Sequence, residues 1–170
     1  GIGSGQYVNA SLTVFSGASL VNGSGNLNKN DALQTLTGSA IAGRTVGGFD
    51  FNQDGFSDVL MGTDWQNEGE VLILSGEDIA QGQASLSSAI SLTGTSGSLV
   101  GHSSGWIDDA TGDGYPEIVV SAPGEDGDKE KSGKVYVVDG DDLPSNSSSA
   151  NSLALYTLLG NAKNGHMISA

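Results

Sequence analysis

Three sequence patterns recur in a fixed order along the chain, and this repetition constrains the fold more than any single motif. The first pattern opens on a glycine, and these glycines (Gly43, Gly101 and Gly165) lie 58 and 64 residues apart. The second is an apolar run that ends in glycine, at residues 11–17, 69–76 and 133–140. The third is a shorter apolar segment, at residues 33–38, 89–94 and 155–160. We therefore interpret the chain as successive copies of one structural unit.

Each unit contains four short segments with the properties of β-strands. In the first complete unit we place these strands near residues 43–49, 57–62, 70–75 and 88–93, from the recurring patterns and from short apolar runs bounded by turns. Spacers rich in Gly, Ser and Asn separate them, as turns require. Four antiparallel strands per unit, stacked radially, describe a β-propeller blade, so we predict an all-β protein built from such blades. Only residues 77–81 are predicted to form a helical turn.

Each complete unit has one nonapeptide between its first two strands, and the two nonapeptides share the same arrangement of oxygen-bearing side chains. Loop 1 is residues 50–58 (DFNQDGFSD), and loop 2 is residues 109–117 (DATGDGYPE). In both loops, oxygen-bearing side chains occupy positions 1, 3, 5 and 9, with glycine at position 6 and an aromatic residue at position 7. Calcium prefers a shell of oxygen ligands, and the glycine permits the backbone angle that closes a tight coil. Two copies in matching surroundings make calcium the leading hypothesis.

We predict five calcium ligands in each loop. In loop 1 they are the side chains of Asp50, Asn52, Asp54 and Asp58 and the carbonyl of Phe56. In loop 2 they are the side chains of Asp109, Thr111, Asp113 and Glu117 and the carbonyl of Tyr115. The alternative interpretation is that Asp, Asn and Gly form ordinary turns at these positions.

The surroundings of the loops distinguish them from a helix–loop–helix calcium site, which has glutamate at position 12. Position 12 is Met61 in loop 1 and Val120 in loop 2, within apolar runs that predict strands. The two loops should also differ in affinity. Thr111 offers a neutral hydroxyl and Glu117 is longer than an aspartate, so we expect weaker binding at loop 2, or completion of that site by water or Asp108.

Residues 43–76 resemble an FG-GAP repeat, the blade of the integrin α-subunit propeller and of many bacterial surface proteins. The family pattern runs from an aromatic-glycine pair through a calcium loop to Gly-Ala-Pro. This chain keeps the calcium loop but has Ala42, Val100 or Asn164 in place of the aromatic residue. The Gly-Ala-Pro element is Gly62-Thr63-Asp64 in one unit and Ser121-Ala122-Pro123 in the next. The resemblance implies an integrin-like, calcium-binding β-propeller that acts in cell adhesion or as a structural module outside the cell or at its surface.

The resemblance also divides the chain. Its domains are residues 1–42, the last strands of a preceding blade; residues 43–100 and 101–164, two full blades that carry loops 1 and 2; and residues 165–170, the first strand of a following blade. Propellers of this type close with roughly six to eight blades, so two full blades plus partial blades would make an incomplete ring. We expect a fragment of a longer protein or one subunit of an oligomeric ring, with strand edges that need partner strands.

Composition excludes several classes of partner. The formal net charge is −14, from 20 acidic and 6 basic residues, which disfavours nucleic acid and anionic membrane surfaces. The chain has no cysteine, so disulfides and thiolate metal sites are excluded. Apolar runs stay well short of the roughly 20 residues of a membrane span, which predicts no membrane insertion.

We find no candidate catalytic residue and predict that the chain is not an enzyme. Residues 101–105 (GHSSG) match the nucleophile-elbow pattern, but that motif requires a following helix, whereas a strand and loop 2 are predicted here. His102 and His166 occupy equivalent repeat positions, which favours a structural role. We expect Trp106 to lie in the core.

Trp65 is the candidate contact for a partner. It lies in a polar loop between the second and third strands, on the face that the resemblance assigns to partner binding, opposite calcium. An exposed aromatic residue there could bind a protein or glycan ligand; alternatively, it folds over its own blade. Two alternatives to an adhesion module are an accessory propeller of a larger secreted enzyme, acting on polysaccharide or phospholipid, and a spacer without a ligand.

Overall fold

A computed structural model describes residues 10–22, 25–38, 44–63 and 68–161, and over these residues the protein is mostly β. The strands are β1 Ala10–Val14, β2 Gln34–Gly38, β3 Arg44–Phe49, β4 Asp58–Gly62, β5 Glu70–Leu74, β6 Ile90–Thr93, β7 Ser104–Ile107, β8 Glu117–Ala122, β9 Lys134–Val138, β10 Ser147–Ser149 and β11 Ala154–Leu159. The short helices are α1 Gly17–Asn22, α2 Gly76–Ala80 and α3 Ala150–Leu153, with a 3-10 turn at Lys29–Asp31. Within the described part of the chain, no helix has the length and apolar character needed to cross a membrane.

The strands form three sheets. An N-terminal pair joins β1 and β2; sheet 1 has the order β10-β6-β5-β4-β3; and sheet 2 has the order β11-β9-β8-β7. β3 to β6 pair antiparallel in chain order, as do β7, β8, β9 and β11, as predicted for blades. β3 to β6 confirm the four strands predicted for the first complete unit. The residues that the structure describes contain these sheets without a closed ring.

One strand of sheet 1 comes from the following unit and was not predicted. Residues 147–149 form β10, which runs parallel to β6 and pairs Ser147 with Ser91 and Ser149 with Thr93. The amide of Ser91 also donates to the carbonyl of Asn146 at 2.7 Å. A run of serines has no apolar pattern, so the sequence gives no strand signal here. Its effect is to tie the two units together through backbone hydrogen bonds.

The core lies between neighbouring sheets rather than within one sheet. A cluster between sheets 1 and 2 contains Phe49, Phe51, Leu60, Val71, Ile73, Leu92, Val100, Ile118, Val120, Ala122, Tyr136, Val138 and Ala150. A second cluster, between the N-terminal pair and sheet 1, contains Leu36, Met61, Leu72, Leu74, Ile79 and Ala84. Trp106 is half-buried, packs against the first cluster and stacks on Phe49, with ring centroids 5.8 Å apart. Each large apolar side chain that is fully buried contributes about 1.5–3 kcal/mol, so contact between units makes a large contribution to the stability.

The segment 123–132, which lengthens the second repeat, connects β8 to β9. Glu125 anchors it to the sheet: its carboxylate lies 3.0 Å from Nζ of Lys134 and accepts a hydrogen bond from the hydroxyl of Tyr136. Burial of the Tyr136 ring and the hydrogen bond to Glu125 raise the pKa of that hydroxyl. The insertion is therefore fixed at its base by a partly buried group of three side chains.

In each complete unit, one glycine allows the backbone of the loop to approach its own sheet closely, and these two glycines, Gly76 and Gly140, are equivalent in the repeat. A Cβ atom on Gly76 would lie 2.2 Å from the carbonyl oxygen of Ser57, and one on Gly140 would lie 2.6 Å from that of Pro116. Ser57 and Pro116 both occupy position 8 of their loops. In the two complete units, the glycine that follows the third strand is thus required for close backbone approach.

We predict that Gly76→Ala lowers the free energy of unfolding by about 2–3 kcal/mol, because the backbone must move to admit a methyl group. Gly17→Ala is the matched control, since nothing lies within 4 Å of a Cβ at Gly17. Urea unfolding of both variants measures the effect. Equal midpoints for Gly76→Ala and the parent chain would contradict the close approach.

Candidate functional site

The two predicted calcium loops occupy equivalent places in the two sheets. Loop 1 connects β3 to β4, and loop 2 connects β7 to β8, which confirms that the loops join strands. Their backbones share two left-handed positions: position 4 is Gln53 (φ 59°) or Gly112 (φ 85°), and position 6 is Gly55 (φ 87°) or Gly114 (φ 98°). The glycine at position 6 therefore has the conformational role that the sequence predicts.

The loop 1 side chains at positions 1, 3 and 5 are oriented by hydrogen bonds within the loop. The carboxylate of Asp50 accepts hydrogen bonds from the amides of Asp54 (3.1 Å) and Gly55 (2.8 Å). The side-chain oxygen of Asn52 also accepts from the Asp54 amide, and its Nδ2 donates to the Asp54 carboxylate at 2.8 Å. Asp54 in turn accepts from the amide of Phe56 at 2.8 Å. The predicted side-chain ligands at positions 1, 3 and 5 thus form one hydrogen-bonded group.

Loop 2 repeats this arrangement with fewer contacts between side chains. Asp109 accepts a hydrogen bond from the amide of Gly112 at 2.7 Å, and Asp113 accepts from the amide of Tyr115 at 2.8 Å. The Asp113–Tyr115 bond is the equivalent of the bond between Asp54 and Phe56 in loop 1. Positions 1 and 5 are therefore acceptors of loop amides in both loops.

The carboxylate at position 9 is buried in both loops and holds the loop to the sheet. Asp58 is completely buried and accepts from the amides of Phe51 (2.8 Å) and Gly76 (2.7 Å). Glu117 is 1% exposed and accepts from the amides of Ala110 and Thr111, each at 2.9 Å. Because glutamate is one methylene longer, it reaches two successive amides of its loop, whereas aspartate bridges the loop and the glycine after β5.

Burial and neighbouring charges disfavour the ionised state of two carboxyl groups near the loops. Burial raises the pKa of Asp58 to about 6, against the opposing effect of its two amide donors, and the negative charges of Asp54 and Asp50 add to the rise. Burial also raises the pKa of Asp139, and the charges of Asp113, Asp142 and Glu117 raise it further. Negative charge thus accumulates at both loops, and a bound cation would relieve it.

Asp139 is the neighbour of loop 2 that the repeat alignment does not single out. It is 8% exposed, and its carboxylate accepts from the amide of Asp141 at 3.1 Å. The equivalent residue of the preceding unit is Ser75. The available signal was this difference between Ser-Gly and Asp-Gly at the end of the third strand, which places a carboxylate near loop 2 where the preceding unit has a serine.

The donor set of both loops suits calcium, although the carboxylates are not gathered around one point. In the described ranges, no group of three or more histidine or acidic side chains is close enough to hold a metal ion. The donors are nevertheless all oxygen atoms, and an ionised carboxylate has about four lone-pair sites, so an oxygen that accepts one amide can also bind a cation. The loops therefore fit calcium by chemistry and by backbone conformation.

The two loops contact one another through Gln53. Its side-chain amide donates to the carbonyl of Gly114 at 2.8 Å. Position 4 of loop 2 is a glycine, whereas position 4 of loop 1 is Gln53. Both residues lie in the left-handed region, where residues other than glycine are uncommon. This hydrogen bond partly offsets the cost of that conformation. Trp65, His166 and Gly43, which the sequence also singles out, lie outside the described residues.

Comparison with known families identifies one part of the chain. Residues 100–138 match the family model of the FG-GAP repeat. This range contains β7, loop 2, β8 and β9, so the matched segment is the larger part of sheet 2. The chain therefore carries an FG-GAP repeat, and the resemblance predicted from the loops is confirmed for this segment.

The raised pKa of Asp58 predicts a pH dependence of stability without calcium. The folded state binds a proton at Asp58 up to about pH 6, and the unfolded state only to about 3.8, so the folded state holds more protons in between. The Asp58 contribution to the free energy of unfolding should therefore fall by about 1–2 kcal/mol as pH rises from about 4 to 7.

Asp58→Asn serves as the reference because asparagine does not titrate. Urea unfolding of both proteins in a chelator gives the difference in stability at each pH. We expect the parent chain to have the higher free energy of unfolding at pH 4 and the difference from Asp58→Asn to shrink as pH rises. A difference that grows over this interval would contradict a raised pKa of Asp58.

Proposed function

We propose that this chain is a calcium-binding segment of an FG-GAP β-propeller that acts in adhesion or as a structural module outside the cell. The observation that supports this function best is the pair of matched loops. Both have acidic oxygen donors at positions 1, 5 and 9 and the same left-handed backbone at positions 4 and 6. One of them lies within the segment that matches the FG-GAP repeat.

In this proposal, calcium completes the charge balance of each loop. Loop 1 would hold it with Asp50, Asn52, Asp54, Asp58 and the carbonyl of Phe56. Loop 2 would use Asp109, Thr111, Asp113, Glu117 and the carbonyl of Tyr115, with Asp139 nearby. The cation supplies positive charge where burial and like charges raise the pKa of the carboxyl groups. Extracellular modules of this kind bind calcium with dissociation constants of about 10⁻⁴–10⁻³ M, which suits a secreted or cell-surface protein.

A binding or structural role is also favoured over catalysis. The nucleophile-elbow pattern at residues 101–105 continues directly into the strand β7, which begins at Ser104, and not into a helix. The hydroxyl of Ser121 donates to the carbonyl of Ser103 and accepts from its amide, which places this stretch in the ladder of sheet 2. We propose that the chain is not an enzyme and that its partner is a protein or glycan.

We predict two calcium-binding events of different strength, with loop 1 the tighter. Loop 1 supplies the amide oxygen of Asn52 where loop 2 supplies the hydroxyl of Thr111. Asp54→Ala should remove the tighter event and Asp113→Ala the weaker one, as measured by calorimetric titration. At free calcium about ten times the dissociation constant, each site should add roughly 1.4 kcal/mol and raise the melting temperature by several degrees.

Glu130→Gln is the control for the loss of one negative charge, because Glu130 is exposed and lies outside both loops. It should leave both binding events unchanged. Loss of the tighter event in Asp113→Ala would reverse the ranking. A parent chain with neither calcium-dependent heat nor a melting shift would refute the calcium sites themselves.

A further inference from the structure

One side-chain hydrogen bond joins loop 1 directly to loop 2, and predicted ligands lie next to both of its ends. The side-chain amide of Gln53, at position 4 of loop 1, donates to the carbonyl of Gly114, at position 6 of loop 2, at 2.8 Å. For each of these two residues, both neighbours in the sequence are predicted ligands. A change in the arrangement of ligands in one loop therefore acts directly on the other loop.

In loop 2, a single peptide group connects Gln53 to a predicted ligand. The peptide between Gly114 and Tyr115 accepts the Gln53 hydrogen bond through its carbonyl. The N–H of the same peptide donates to the carboxylate of Asp113 at 2.8 Å. Because a peptide group is planar, the orientation of its carbonyl also sets the direction of its N–H. Gln53 thereby orients the hydrogen bond that holds Asp113 at position 5.

In loop 1, the backbone of Gln53 is connected to predicted ligands in the same way. The peptide between Gln53 and Asp54 donates its N–H to the carboxylate of Asp50 and to the side-chain oxygen of Asn52, each at 3.1 Å. These two ligands fix the backbone from which the Gln53 side chain projects. The contacts form an unbroken path from the side chains at positions 1 and 3 of loop 1 to Asp113 of loop 2.

A separate backbone contact keeps the two loops side by side. A Cβ atom on Gly140 would lie 2.6 Å from the carbonyl oxygen of Pro116 in loop 2 and 3.5 Å from that of Phe51 in loop 1. The turn after β9 therefore packs against both loops. Because this contact does not involve Gln53, the loops should remain adjacent when the Gln53 hydrogen bond is removed by substitution.

We propose that loops 1 and 2 bind calcium cooperatively, with the hydrogen bond between Gln53 and Gly114 as the coupling contact. The inference rests on the proposed calcium-binding function and adds a regulation of those two sites. Binding in either loop requires its carboxylates to approach a common point, which costs conformational freedom. An ordered loop holds the Gln53 side chain and the Gly114 carbonyl in place, so the other loop has less freedom left to lose when it binds.

Two effects of opposite sign act between the loops. Calcium in one loop adds positive charge, which weakens the attraction of the other loop for a second cation. This effect is small, because each loop has three carboxylates in its predicted ligand set and because salt screens exposed charges beyond about 8 Å at an ionic strength of about 0.15 M. The hydrogen bond is a direct contact that salt does not screen. We therefore expect positive coupling, in which each site strengthens the other about fivefold.

The test compares each site alone with the same site when the other loop is loaded. Asp113→Ala leaves loop 1 to bind, and Asp54→Ala leaves loop 2. Calorimetric titration at an ionic strength of about 0.15 M should give dissociation constants in these variants that are about fivefold larger than those for the second ion in the parent chain. The factor should be the same for both sites, because thermodynamic coupling is reciprocal.

Gln53→Gly isolates the coupling contact. It gives loop 1 the residue that loop 2 has at the same position, Gly112, whose φ of 85° is also left-handed. The backbone conformation is thus retained while the side-chain amide is lost, and the coupling factor should fall below about twofold. Gln53→Asn should act likewise, because asparagine tolerates the left-handed region but is one methylene shorter. Gln83→Asn, at an exposed glutamine outside both loops, is the control and should leave the factor unchanged.

Amide hydrogen exchange gives a second readout that does not depend on binding heats. In Asp54→Ala, saturation of loop 2 with calcium should slow the exchange of loop 1 amides about threefold, because the path through Gln53 orders loop 1. Adding Gln53→Gly to this variant should abolish that protection. The double variant still carries every predicted ligand of loop 2, so the saturation of loop 2 can be verified in the same samples.

Three results would overturn the inference. One is a dissociation constant for each site that is the same whether or not the other loop is loaded, and another is weaker binding of the second ion. The third is a coupling factor that survives both Gln53→Gly and Gln53→Asn. These results leave the calcium sites themselves intact. A parent chain without any calcium-dependent heat would overturn the proposed function together with the coupling, so the two failures are distinguishable.

Discussion

The carboxylate at position 9 of each loop is the interaction on which the arrangement of the site depends. Asp58 and Glu117 are buried, and both oxygens of each accept backbone amides. An amide donor left unpaired in the interior costs about 1–3 kcal/mol, so these bonds fix the loop ends at the sheet. Burial nevertheless raises the pKa of Asp58 to about 6. Asp58 therefore orders loop 1 through its hydrogen bonds, while burial disfavours its ionised carboxylate unless a positive charge neutralises it.

The second constraint is that no sheet buries its apolar face alone. The two core clusters lie between units, and β10 crosses from one unit to the preceding sheet. Each unit therefore depends on its neighbour for burial, as in other repeat architectures. The loops inherit this dependence, because Gln53 of loop 1 contacts Gly114 of loop 2 across the two units. The two loops and the packing between units are thereby parts of one structure rather than independent modules.

The repeat pattern was sufficient to predict β3 to β6 and the position of both loops, because apolar runs and turn residues are local signals. It did not predict β10, whose serines lack apolar alternation, or the role of position 9 as an acceptor of backbone amides. That role depends on burial and on the approach of Gly76, which are tertiary properties. Asp139 was missed because its proximity to loop 2 arises from the packing of β9 and not from spacing within the loop.

A crystal structure grown with millimolar calcium tests the central claim most directly. We predict a density peak in loop 1 and in loop 2, each with oxygen ligands at about 2.3–2.6 Å. Asp50 and Asp54 should supply ligands in loop 1, and Asp109 and Asp113 should do so in loop 2. If the loop carboxylates contact only backbone amides and no cation density is present at that calcium concentration, calcium binding by the loops would be contradicted.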